Sequence, residues 1–335
     1  MRLLAPAFAA LLIALPALAQ EEAASPQWRY GDMRAADLGV GASLHGAVPF
    51  PADNAWNTDI SAAPVDPNSD NLVLSIPMGR GIHPDFGRGT YAGAIIGIPY
   101  EVVGKSQPGE RIHFTAYGSQ SDKGPYPVPH NAPIEGYKPS GRPFGGDRHV
   151  LVIDRSADRL YEMYSAYPQK DKSWKADSGA VFHLDSDNVR PTVHPGWTSA
   201  DAAGLPIFPG LVRYDEAHAG VIPHALRFTV PSSRKAYVPP ATHWASSDTD
   251  ENLPPMGMRV RLKADYTIPS QFSRETKAIL KALKTYGMFV ADNGSGWFLS
   301  GAPDHRWNND RLNSELGALE RTDFEVVRMD GLVTP

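Results

Sequence analysis

Short apolar runs broken by Pro, Gly, Asn and Asp dominate this chain, and few segments carry a helical period. Such runs read as strands. The clearest pair is His149–Asp154 (HVLVID) and Leu160–Ser165 (LYEMYS), joined by the polar link RSADR, a suitable hairpin connection. Further strands are expected at Asn71–Ile76, Ala94–Val103, Arg111–Tyr117, Phe182–Leu184, Ala225–Val230 and Gly257–Asp265. In the last, Met258, Val260, Leu262 and Ala264 alternate with Arg259, Arg261, Lys263 and Asp265, which predicts a half-buried strand with a cationic outer face. One segment has a clear helix period. Arg274–Tyr286 follows Ser273 as N-cap, carries Ile279, Leu280, Leu283 and Tyr286 as a stripe, and stops at Gly287. Met288–Ala291 and Trp297–Ser300 are expected to form a hairpin, and a shorter helix is expected at Asp310–Leu319. Many short strands with few helices predict a mainly β, sandwich-like single domain with one or two peripheral helices.

The first residues, MRLLAPAFAALLIALPALAQ, have a charged start, an apolar stretch and the small-residue site Ala17-Leu18-Ala19. They predict a signal peptide over residues 1–19 and a secreted or periplasmic protein. The stretch is too short to span a membrane comfortably and no other long apolar run follows, so no membrane association is expected after cleavage. Residues 20–44 read as a polar tail or linker, and 45–330 as the β-rich domain. The chain has no cysteine, so an exported form depends on core packing alone. Its net charge of −5 lacks the basic field that a nucleic-acid partner needs.

Several signatures are missing: G-x-S-x-G, the Walker loop, G-x-G-x-x-G and H-E-x-x-H. Ser232–Lys235 matches S-x-x-K without its companion motifs and reads as a surface turn. Asp66-Pro-Asn68-Ser-Asp70 and Asp248-Thr-Asp250-Glu-Asn252 have the alternating oxygens of a calcium loop but not its glycine or its twelfth-position acid. Turns explain them more simply, so no cofactor is expected and calcium stays open. His218, His224 and Asp215 or Glu216 match no zinc or copper ligand spacing.

The densest chemistry is Gly196–Arg227, where Trp197, Asp201, Arg213, Tyr214, Asp215, Glu216, His218, His224 and Arg227 surround the apolar run Gly204–Val212. Carboxylates beside apolar or aromatic neighbours suit glycoside hydrolysis, which needs two acids, one holding a proton at neutral pH. Glu135, Glu162, Asp201, Asp215, Glu216 and Asp292 qualify. Asp215 or Glu216 is the preferred first member, with Asp201, Glu162 or Asp292 as the second. Glu162 shares a strand face with Leu160 and Tyr164, which predicts a desolvated, raised pKa. Trp197, Tyr214 and Trp244 are candidate sugar platforms, and His224, Arg227 and His243 candidate substrate-positioning groups. In HALRFTV, His224 alternates with Leu226, Phe228 and Val230, so His224 should abut the core while Arg227 points outward. His149 reads either as a strand-end ligand or as a core-edge histidine. A polysaccharide lyase is the enzymatic alternative, drawing on His224, Arg227, Tyr214, His243 and Asn293, with the Arg259, Arg261, Lys263 face for an acidic polymer. A non-catalytic carbohydrate-binding protein is the third reading. In each, the partner is a polysaccharide or oligosaccharide.

The blocks FPADNAWN, GGDRHVLVID, GWTSADAAGLPIFPGLVRYDE, PPMGMRVRLKA and ALKTYGMFVADNGSGWFLSGAPDHRW together resemble a group of secreted, mostly bacterial, uncharacterised proteins. The resemblance covers most of Phe50–Val327. It implies one continuous domain and a secreted location, and it carries no activity and no site residues.

Overall fold

The HVLVID and LYEMYS runs pair antiparallel as Val150–Asp154 and Arg159–Tyr164. They form the middle of a five-stranded sheet ordered Ser178–His183, Arg159–Tyr164, Val150–Asp154, Tyr100–Val103, Gly39–Val40. All neighbours are antiparallel except Tyr100–Val103 beside Val150–Asp154. Val150 through Ile153 are all buried because the sheet is covered on both faces. Leu151 and Ile153 enter the main core, while Val150 and Val152 pack into a smaller one with Tyr126 and Trp174. A small sheet of Ile112–Phe114, Trp174–Ala176 and Tyr167–Pro168 contributes to that second core. These features belong to a computed structural model, which describes residues 27–137, 146–187, 190 and 195–335. The expected leader, 1–19, lies outside the described residues.

The second large sheet is ordered Phe324–Val326, Arg259–Leu262, Met288–Asn293, Leu226–Val230, Phe298–Ser300, His83–Asp85. The main core holds Tyr100, Leu160 and Phe182 of the first sheet and Phe228, Val260 and Met288 of the second. The chain is thus mainly β and sandwich-like, with strand outweighing helix by 26% to 14%. Among the described residues no helix is long and apolar enough to cross a membrane.

Four helices are described: Ser69–Ser75, Tyr214–Ala219, Arg274–Thr285 and Asn309–Leu316. The third follows its sequence closely. The Ser273 side chain accepts from the Thr276 amide, and Gly287 takes φ 66°, where a Cβ would lie 2.5 Å from the Val260 carbonyl oxygen.

Other expectations change. Asn71–Ser75 is helical and Ile76 caps it, because Leu72, Val73 and Ile76 then enter the core together from one side. Met288–Ala291 and Trp297–Ser300 do not pair as a hairpin. Leu226–Val230 lies between them, parallel to the first and antiparallel to the second. Its Leu226, Phe228 and Val230 are fully buried, so the sheet centre is the place where this strand loses most apolar surface to water. Residues 27–44 are no loose tail: Arg29–Tyr30 pairs with Ala47–Val48, and Met33 and Ala36 are fully buried. Nor is the Arg259–Leu262 strand a solvated cationic face. Arg261 is buried, donating to Glu325 and to the Ile60 carbonyl, and Arg259 donates to the Tyr286 and Thr58 carbonyls.

Candidate acid–base site

Within the Leu226–Val230 strand, the chain places an arginine where the alternation predicted an outward side chain. Arg227 is buried instead, because both faces of this strand are covered. Its Nη2 donates to Asp201 Oδ1 at 2.9 Å and its Nη1 to Ser300 Oγ at 2.6 Å. Asp201 reaches it from a turn in which Ser199 Oγ accepts from the Asp201 amide. Asp201 is 1% exposed, and its second oxygen, Oδ2, has no partner among the described residues. A buried carboxylate oxygen without a donor is costly, and it is the kind of strain that functional sites retain. Burial raises the Asp201 pKa, opposed by the Arg227 and His149 charges.

His149 stands at the head of the Val150–Asp154 strand. Its Nδ1 lies 2.5 Å from Glu135 Oε2 and its Nε2 3.0 Å from the Ala200 carbonyl oxygen. Both neighbours are acceptors, so the ring donates from both nitrogens as an imidazolium. Burial alone would lower its pKa, but the Glu135 charge and hydrogen bond push it up to about 9. Glu135 shows the reverse: burial works against it, and His149 holds it below the usual carboxylate range. Arg148 just before takes φ 56°, and its guanidinium donates twice to the Ala166 carbonyl beneath the Tyr167 ring. A non-glycine residue in this conformation persists only where its surroundings fix it. Asp147 completes a cluster in which ligand atoms of Glu135, Asp147 and His149 lie within 4.8 Å of one another. A metal would need a lone pair on His149, and both ring nitrogens are already donating, so the cluster fits a positioned imidazolium better than a cation site. The calcium-loop candidates are likewise engaged locally: Asp66, Asp248 and Asp250 each accept from the amide two residues on.

Asp292 closes the site at the end of the Met288–Asn293 strand. A bulge there skips Ala291, pairing Phe228 with Val290 and Thr229 with Asp292. Bulges commonly re-aim a side chain beside a functional site. Burial and the Asp201 charge push Asp292 up to about 7. Asp201 and Asp292 line one cavity of about 210 Å³ together with Asp147, Tyr117, Tyr164 and His243. His243 is fixed by Nδ1, 2.7 Å from the Ala202 carbonyl oxygen. Asn293 accepts from Ser233 and donates to the Ala245 carbonyl, which ties down the adjoining loop.

The other expected site residues lie elsewhere. Glu162 is fully buried and raised to about 7 by desolvation, but both its oxygens accept from the backbone amides of Ile207 and Phe208. It ties the Gly204–Val212 run to the first sheet. Asp215 and Glu216 sit on the Tyr214–Ala219 helix at a different cavity, of about 140 Å³. Asp215 pairs with the half-exposed Arg306, whose guanidinium also lies over the Tyr214 ring. Glu216 is buried between Arg213 at 2.7 Å and His224 at 3.2 Å. Burial would raise it, but those two partners hold it low. That is a neutralised structural triad with no free carboxylate to offer. His224 therefore does abut the core and does not meet Arg227. Trp197 lines a third cavity with Trp56 and Leu205, and Trp244 stacks on Tyr237. So Asp201, Asp292, Arg227 and His243 come together. Glu162, Asp215, Glu216, Tyr214, His224, Trp197 and Trp244 do not join them. Asp147, Tyr117, Tyr164 and Ser300 were not singled out in the sequence, although Asp147-Arg-His149 heading a strand was a usable signal.

No family model, no characterised protein and no solved structure matches this chain.

Proposed function

We propose that the protein is an exported glycoside hydrolase in which Asp201 and Asp292 form the carboxylate pair. The observation that carries this is the shared cavity: one acid raised to about 7, the other beside a buried arginine with an oxygen left unpartnered. The Asp201 charge raises Asp292, so the two acids hold one proton between them near neutral pH. Arg227 donates directly to Asp201 and so favours charge there, which leaves the proton on Asp292. Asp292 then protonates the glycosidic oxygen as the bond breaks. Asp201 supplies negative charge at the anomeric carbon, as nucleophile or as base for a water. Glu135 and the Ala200 carbonyl hold His149 in place behind the pair. Ser300 holds Arg227. Tyr117 and Tyr164 would offer ring faces to a sugar. A lyase is less well served, because Arg227, the cation nearest the pair, is already spent on Asp201 and Ser300 rather than free for a uronate.

The test is reducing-end release from a panel of neutral, basic and acidic polysaccharides. D201N and D292N should each lose at least a thousandfold in kcat while still melting cooperatively, D201N at a lower temperature because buried Arg227 loses its counter-ion, and D215N should keep wild-type rates. Release accompanied by unsaturated-uronate absorbance would replace hydrolysis with elimination. Wild-type rates in D201N or D292N would refute the pair.

A further inference from the structure

We infer that His149 is the positioning residue of the acid pair: it tethers the peptide unit that carries Asp201 and stands as a fixed positive charge behind both carboxyls. The inference rests on the glycosidase reading and adds a residue to its machinery. Trp197–Gly204 forms neither helix nor strand, so no ladder of backbone bonds fixes Asp201. The Ala200 carbonyl and the Asp201 amide belong to one planar peptide unit. His149 Nε2 donates to its oxygen at 3.0 Å, and Ser199 Oγ accepts from its N–H at 2.9 Å. Both ends of the plane are thereby held, which sets the direction in which Asp201 leaves the backbone. Two residues on, the Ala203 amide donates to the Ala291 carbonyl at 3.0 Å, tying the same turn to the residue before Asp292. His149 is itself clasped: the Glu135 amide donates to its carbonyl at 3.0 Å, while its Nδ1 donates to Glu135 Oε2.

His149 is buried, does not line the cavity of the pair, and has both N–H groups committed, so it neither touches substrate nor passes a proton to it. What reaches the pair is its charge. Glu135 and Asp147 face it from the preceding loops, Asp201 from the turn, Glu162 from the neighbouring strand, and Arg227 and Asp292 from the second sheet. The uncharged Tyr164 ring lies 5.7 Å away. Glu135 and Asp147 favour the imidazolium, and Arg227 opposes it. The imidazolium in turn draws Asp201, Asp292 and Glu162 down, against the desolvation that raises all three. Without that charge, burial drives the pair towards a doubly protonated form, which keeps an acid but has no carboxylate to act as nucleophile or base. Arg227 resists this at Asp201 by direct contact. His149 resists it at both acids, from behind.

Two variants separate the tether from the charge. In E135Q burial leaves the ring neutral, Nδ1 accepts from the glutamine amide, and Nε2 keeps its bond to Ala200. H149A removes charge and tether together, and H149F, which keeps a ring, takes its place if alanine does not fold. Three signals need no substrate: nitrogen NMR of the His149 ring, carbon NMR titration of the Asp201 and Asp292 carboxyls, and hydrogen exchange of the Asp201 amide. At pH 7 the wild-type ring should be doubly protonated and the E135Q ring singly. The Asp292 midpoint should rise in both variants by at least about 0.5 pH unit. Asp201 amide exchange should quicken about tenfold in H149A and change less than about threefold in E135Q. On the polymer cleaved in the reducing-end panel, the alkaline limb of kcat should move up with the Asp292 midpoint, and H149A should lose about a hundredfold in kcat at its own optimum. A merely structural histidine would lower stability or kcat and move neither the midpoint nor the limb. A neutral wild-type ring at pH 7, an unmoved Asp292 midpoint in E135Q, or equal Asp201 exchange in the two variants overturns the inference. Shifted midpoints with no polymer cleaved refute the glycosidase reading and leave the positioning of the two acids standing.

Discussion

Glu162 offers a clean test of the electrostatics, because it lies outside the proposed chemistry. Its carboxyl is fully buried and raised from 4.5 to about 7, chiefly by desolvation. A group raised in the folded state stabilises the fold while protonated, and that contribution is lost as pH rises through the folded value. For Glu162 the window runs from about 4.5 to about 7. Across it the fold loses roughly 2–3 kcal/mol, since each pKa step corresponds to about 1.4 kcal/mol. Glutamine mimics the protonated acid in shape and charge. One carboxylate oxygen, Oε1, already accepts from both the Ile207 and Phe208 amides, so a single amide oxygen can serve both. E162Q should therefore gain on the wild type by roughly 2–3 kcal/mol between pH 5 and pH 8, whatever constant offset the substitution brings. The measurement is chemical denaturation of both proteins at the two pH values, read as a difference of differences. A wild-type-to-E162Q gap that is the same at pH 5 and pH 8 would refute the burial argument. E162A is the control for the hydrogen bonds. It strands two buried amides at about 1–3 kcal/mol each and should be destabilised at both pH values.

Other consequences are equally direct. His149, raised from 6.5 to about 9, stabilises the fold fully below pH 6.5. Its contribution, on the order of 3 kcal/mol, fades towards pH 9. Glu162, Asp292 and His149 thus push the same way, and the melting temperature should fall steadily from pH 6 to pH 9. A flat profile over that range would contradict the His149–Glu135 ion pair. Hydrolysis that needs protonated Asp292 should lose kcat with a midpoint near pH 7, and a profile still rising at pH 8 would assign the acid elsewhere. E216A should cost about 3–5 kcal/mol in denaturant titration, because Arg213 and His224 lose their buried counter-ion. D215N, which breaks an exposed pair with Arg306, should cost less than about 1 kcal/mol by the same titration.

Much of the architecture was legible because it depends on local patterning. HVLVID and LYEMYS specify two strands and their polar link, and Ser273 with Gly287 brackets a helix whose stripe faces the core. What failed was pairing. Met288–Ala291 and Trp297–Ser300 flank a five-residue link, so a hairpin was the economical expectation. Yet Leu226–Val230 lies between them, and no local signal reports a strand arriving from sixty residues away. Arg227 and Arg261 failed for a related reason. Alternation predicts an outward face, but a second layer covers that face, and each guanidinium then finds acceptors inside.

The same logic explains which acids the sequence could rank. Crowding drew attention to Tyr214-Asp215-Glu216, and the crowding is real. Its physical meaning is neutralisation, since one turn of helix brings Glu216 within 2.7 Å of Arg213 while His224 closes the other side. A carboxylate that has found two partners has little left to give a substrate. Asp201 and Asp292 stood only as candidates for the second member, 91 positions apart in sequence and with no lysine or arginine within five positions of either. That poverty of partners is what matters once the sheets close. Desolvation acts on both, the Asp201 charge raises Asp292 further, and one oxygen of Asp201 is left without a donor. In this chain, therefore, the chemically available acids are those whose sequence surroundings offer them least, and the best-surrounded acids are spent on holding the fold.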